Sequence, residues 1–156
     1  MKSFAKFLTG LAIIAALLVG YYILSSSLPA EMDVSVTEAS AMQTEFQALE
    51  ELVANGHYEG ITSLDDISRY SFVTITIEAR NFSPFPAEWT QYTPKGIEGD
   101  MLVYMQDAGP KDIRPFQTDD FYVTILTENP TAERSGWLEY YIFGRFHSLL
   151  IEPKKA

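Results

Sequence analysis

Apolar and polar positions along the chain fall into two regimes. The first is one unbroken block. Leu8 to Leu24 reads LTGLAIIAALLVGYYIL and carries no charge. As a helix rising about 1.5 Å per residue it covers roughly 25 Å, a little short of a hydrocarbon core about 30 Å thick. Extending it back to Phe4 and on to Leu28 makes up the difference, with Lys6 reaching to the interface. The block is apolar all round, which predicts a membrane segment rather than a helix with one buried stripe. Tyr21 and Tyr22 stand where interfacial aromatics belong.

The second regime is alternation, with one exception. Met42, Phe46, Leu49 and Val53 recur at helical spacing and predict an amphipathic helix over about 41–54. Ser40 and Gln43 have the spacing of a capping box at its start, and Asn55-Gly56 supplies a left-handed stop. Elsewhere the period is two. Strands are predicted at 33–38, 71–80, 87–92, 101–106 and 121–127. In the clearest, SFVTITIEAR, Val73, Ile75 and Ile77 share a face; in the last of these, Phe121, Val123 and Ile125 do. Trp137 to Ile151 is too long for one flat strand. Gly144 predicts a bulge or bend within it, with Leu138, Tyr140, Ile142, Phe146 and Leu150 facing the core. A single turn is expected at 63–66. Strands joined by turn signals, with one added helix and no β-α alternation, predict a mainly β, antiparallel sandwich.

Charge sharpens the division. All 21 acidic residues lie at or beyond Glu31, and only Lys2 and Lys6 of the 11 basic ones precede it. Basic residues before the apolar block predict an N-terminus in the cytoplasm and a body, 31–156, outside. The expected location is a plasma membrane, crossed once by residues 4–28. The alternative is a cleaved signal peptide, for which Ser25 to Ser27 offer small residues, and a secreted body. An acidic body excludes nucleic acid, whose phosphates need clustered Lys and Arg. The chain has no cysteine, so disulfides, thiol catalysis and cysteine metal sites are excluded.

The stretch VTITIEARNFSPFPAEW resembles the strand, Asn-small-Pro turn and second strand of bacterial immunoglobulin-like domains. DIRPFQTDDFYVTILTE resembles the loop and strand that follow in them. The resemblance implies a membrane-anchored immunoglobulin-like β-sandwich with a binding or scaffolding role, to which the helix at 41–54 is an addition.

Chemistry is sparse. His57 and His147 show no metal-ligand spacing, and the pairs Asp65-Asp66 and Asp119-Asp120 lack the alternating ligands and turn glycine of a calcium loop. No GxSxG elbow or phosphate loop occurs. Asn81-Phe82-Ser83 is formally a glycosylation sequon. No catalytic, cofactor or metal residue is assigned. Trp89, Tyr92, Tyr104, Trp137 and Tyr141 are the candidate binding surface, since aromatics mark recognition sites. The expectation is a non-enzymatic domain that binds or scaffolds another envelope protein. The alternatives are a glycan- or peptide-binding domain with an aromatic surface and an envelope hydrolase.

Overall fold

The computed structural model describes residues 2–25, 27–104 and 109–153. Helix α1 (Lys2–Ser25) is followed by β1 (Ala30–Glu38), α2 (Gln43–Ala54), β2 (Ser71–Arg80), β3 (Ala87–Pro94) and β4 (Met101–Tyr104). Then come β5 (Lys111–Ile113), β6 (Thr118–Thr127), β7 (Gly136–Ile142) and β8 (Arg145–Ile151). The strands form two four-stranded antiparallel sheets, ordered β1-β2-β6-β4 and β5-β3-β7-β8.

Alternation sets the register. Val73, Ile75 and Ile77 pair with Ile125, Val123 and Phe121 across β2 and β6. All six are buried, and they share one core with Leu138, Tyr140 and Ile142 of the other sheet. A slip of one residue would turn this whole set to solvent, so the pairing is strongly specified.

A smaller core lies on the outer side of the first sheet. Phe72 and Leu126, cross-strand partners of the opposite parity, are covered by Phe46, Leu49 and Val53 of α2 with Met42 alongside. Helix α2 starts at Gln43 with Met42 as N-cap; Ser40 lies in a preceding 3-10 turn (Ala39–Ala41), its hydroxyl bonded to Glu38 instead of capping α2. The expected capping box is therefore not formed. The stop is as expected: Gly56 takes a φ of 76°, with Gly56 N–H donating to Val53 and His57 N–H to Leu52. The single turn expected at 63–66 falls later, at Ile67–Arg69, because Asp66 caps it by accepting the Ser68 N–H at 2.8 Å.

The expected bulge or bend at Gly144 is a complete reversal: β7 and β8 form a hairpin that turns at Phe143-Gly144. Phe143 and Gly144 both have positive φ, 53° and 67°, the geometry of a two-residue turn matched to strand twist. Ile142 then pairs with Arg145, Tyr141 with Phe146 and Tyr140 with His147. Even positions of β7 therefore face the same side as odd positions of β8. Phe146 and Leu150, expected in the core, are exposed; His147 lies on the Tyr140 side.

Leu28 and Pro29 fasten the chain between α1 and β1 to the body. Leu28 is buried in the core, its N–H donates to the Tyr140 hydroxyl at 3.1 Å, and the Pro29 carbonyl accepts the Arg80 N–H. Leu28 thus belongs to the body rather than to the apolar segment read as 4–28. Asn81 fastens the neighbouring loops: its buried amide donates to the carbonyls of Phe85, Ile113 and Arg114 while its oxygen accepts the Ser83 N–H. Held this way, the Asn81 side chain leaves no room for a glycan.

Candidate functional site

The outer face of the second sheet follows from the same alternation. With Leu138, Tyr140 and Ile142 turned inward, Trp137, Glu139 and Tyr141 of β7 point out. Cross-strand pairing extends both aromatics onto β8. Tyr141 sits opposite Phe146, ring centroids 5.5 Å apart and tilted, and Trp137 sits opposite Leu150. Trp137 and Tyr141 are four residues apart, roughly 13 Å along the strand. Between the two apolar pairs lies a polar strip in which the Gln91 amide donates to Glu139 at 3.0 Å. The result is a ribbon of two apolar patches flanking one carboxylate.

Of the five expected surface residues, three are exposed on this sheet. Trp137 and Tyr141 head the patches. Trp89 is 68% exposed and sits at a bulge in β3 with a φ of 51°, its N–H donated to Asp112 at 2.9 Å. That bulge reverses the parity of β3, so Gln91 faces out and Tyr92 faces in. Tyr92 is 1% exposed and is corrected to a core residue. Its ring lies over Gly136, where any Cβ would come within 2.4 Å of the Tyr92 hydroxyl oxygen. Burial pushes the Tyr92 phenol well above the ordinary tyrosine value. Tyr104 belongs to β4 in the other sheet, and its side chain lies outside the described residues.

Sequence reasoning missed Phe146 and Leu150, which complete the patches. The signal was Phe143-Gly144, read as a bend when a glycine after an aromatic can also close a two-residue turn.

The other candidate groups have structural employment. Asp65 pairs with Arg69, which also reaches Glu128 at 3.0 Å. Asp66 caps its turn, and the bond from Ser68 holds its carboxyl below the usual range. Asp119 takes Lys111 at 2.7 Å, and Asp120 accepts the Tyr122 hydroxyl. His57 is exposed after Gly56, while His147 stacks on Tyr140 at 5.0 Å and 8°. Burial and the nearby Arg145 depress the His147 pKa. Among the described residues no three His, Asp or Glu side chains are placed to hold a metal ion.

Helix α1 contains a stretch, Phe4–Tyr22, long and apolar enough to cross a membrane, and none of it is buried against the body.

No family model matches the chain, and no curated protein matches it. Among solved structures, the crystal structure of a FixG-related protein from Vibrio parahaemolyticus is similar over 81% of this chain and 98% of that one, with 13% identity and a TM-score of 0.38.

Proposed function

We propose that this chain is a membrane-anchored, non-enzymatic extracytoplasmic domain that holds another envelope protein against the outer face of β7 and β8. The carrying observation is the exposed ribbon of Trp137, Tyr141, Phe146 and Leu150. Large side chains of this kind are held in water on a sheet whose inner face is already filled. Paired large apolar side chains exposed on a folded domain mark an interaction site, and Trp and Tyr anchor such interfaces. Glu139 at the centre, with Gln91 beside it, gives the ribbon a polar group that fixes a partner's register.

An immunoglobulin-like fold fits the strand order. The order β1-β2-β6-β4 reads as A-B-E-D, and β3-β7-β8 reads as C-F-G, the two sheets of a constant-type sandwich. Short β5 and the α2 layer are additions. Helix α1 serves as the single membrane span, with Lys2 and Lys6 on the cytoplasmic side.

Site-specific photocrosslinking in cells tests the binding face. A benzophenone amino acid in place of Trp137 or Leu150 is expected to give one discrete adduct, absent when it replaces Glu50 on the exposed side of α2. Equal adducts from both faces, or none from Trp137 and Leu150, would overturn the reading. Protease added to intact cells tests the topology and is expected to digest the body while sparing α1.

A further inference from the structure

The end of the body nearest α1 differs in chemistry from the rest. Three segments gather there: 80–86 between β2 and β3, 114–117 between β5 and β6, and the 143–145 hairpin tip. Asn81 ties the first two together, and Phe85 packs against Phe143 of the third, ring centroids 3.7 Å apart and planes tilted by 52°. These segments contain no Asp or Glu in a chain that has 21. Their only charges are Arg80, Arg114 and Arg145, all exposed. None of the three forms an ion pair with a described residue, whereas Arg69, Lys111 and Arg134 each do.

The same segments expose four phenylalanines. Phe82, Phe85, Phe116 and Phe143 are between 37% and 64% accessible. Phe116 and Phe143 hold positive φ values of 60° and 53°, a conformation that bulky residues adopt only when the surroundings impose it. The backbone is strained while its aromatic side chains stay outside the core. Arg80 lies over the Phe82 ring at 4.7 Å, so cation and ring are presented together.

We propose that this end is a membrane-seating surface: the phenylalanines enter the headgroup–acyl boundary of the outer leaflet and the arginines bind lipid phosphates. The proposal rests on the reading of α1 as a membrane span. Continuity argues for this occupant. The body begins at Leu28, three residues past the end of α1, and the Tyr22 ring contacts Phe143 at 5.4 Å. A bilayer that holds α1 therefore lies against these loops. Aromatic rings and arginines are the side chains that suit a membrane interface.

Charge segregation orients the body. Residues 38–70, at the opposite end, carry seven acidic side chains against Arg69. Strands β2 and β6 separate the two ends by roughly 33 Å, several times a Debye length of about 8 Å. The distal carboxylates are therefore screened from anionic headgroups, while the arginines lie within their field. Behind the loops stand Asp112, which accepts the Trp89 N–H, Asp119, which is paired with Lys111, and the register neighbours Glu31, Glu78 and Asp120; the three arginines lie ahead of these carboxylates at the leading edge.

Depth-resolved quenching on the full chain tests this. The chain, with Trp89→Phe and Trp137→Phe, is reconstituted in vesicles of phosphatidylglycerol and phosphatidylcholine brominated near the headgroup end of its acyl chains. Single reporters are placed by Tyr22→Trp in the anchor, Phe116→Trp or Phe82→Trp in the loops, and His57→Trp at the distal end. Both loop reporters are expected to lose emission about twofold, since side chains seated about 5–10 Å into the boundary meet the bromines. The His57→Trp reporter is expected to lose none. Replacing Arg80, Arg114 and Arg145 by Glu is expected to abolish loop quenching and leave that of Tyr22→Trp intact. Quenching of Tyr22→Trp without either loop reporter overturns the seating surface alone. Absence of quenching at Tyr22→Trp overturns the anchor and the seating surface with it.

Discussion

The buried ion pair between Arg134 and Asp100 offers the sharpest test of how the body is held together. Arg134, in the loop before β7, is 3% exposed. One guanidinium nitrogen bonds Asp100 at the entry to β4; another donates to the Asn129 carbonyl at 2.9 Å. The pair thus pins two loops at the distal end, one from each side of β6. Arg134→Ala leaves the Asp100 carboxylate buried without its cation, and breaking a buried pair this way costs about 3–5 kcal/mol. Against a total stability of about 5–15 kcal/mol, that removes much of what the fold has. Replacing both partners, as Arg134→Met with Asp100→Leu, removes both desolvated charges together and is expected to cost far less than the two single changes summed. The pairing is imperfect, since among the described residues Asp100 Oδ1 and Arg134 Nε have no hydrogen-bond partner, which favours the apolar replacement further. Urea titration in detergent, followed by circular dichroism, measures all three variants. A single-variant cost below about 1 kcal/mol, the range of exposed pairs, would refute the argument, as would strict additivity in the double variant.

Three further outcomes are expected. Ile75→Ala costs about 2–5 kcal/mol and Thr76→Ala, on the outer face, far less; equal losses in thermal melts would contradict the register. Gly136→Ala forces the Tyr92 ring aside and costs about 1–3 kcal/mol by overpacking, which Tyr92→Leu partly relieves in the same melts. His147 has a folded pKa below its unfolded value, so its stabilising share is present above about pH 6.5 and lost as pH falls through the folded pKa; in paired urea titrations the stability difference between wild type and His147→Phe shrinks as pH is lowered toward about 5.

What the sequence could disclose depended on unbroken parity. β2 alternates strictly from Val73 to Arg80, and its inner face follows from that alone, with Phe72 the one apolar residue turned to the opposite side. β6 and the inward residues of β7 were legible for the same reason. Where one residue shifts the count, pattern reading fails. The bulge at Trp89 turned Tyr92 inward, and the turn at Phe143-Gly144 exchanged the faces of β8. Half of the candidate surface was therefore visible, through Trp137 and Tyr141, while Phe146 and Leu150 were assigned to the opposite side. β5 is three residues long with an aspartate at its centre, too short for any period to register. The capping box failed because Ser40 found a nearer partner in Glu38.

The closure of Leu28 by Tyr140 has a consequence for timing. The two residues are separated by 112 positions. If the body is exported with its N-terminal end leading, the Leu28–Tyr140 closure cannot form until β7 has crossed the membrane. At a synthesis rate of about 5–20 residues per second, that interval is on the order of 6–20 s. Within that interval a leader peptidase would meet Leu28 uncovered. Once Leu28 is sealed beneath Tyr140, the Ser27–Leu28 bond has its Leu28 side buried while Ser27 stays exposed. Were a peptidase to cut at Ser25 to Ser27, retention or release of the body would be a race between that cut and the arrival of a strand near the far end of the chain.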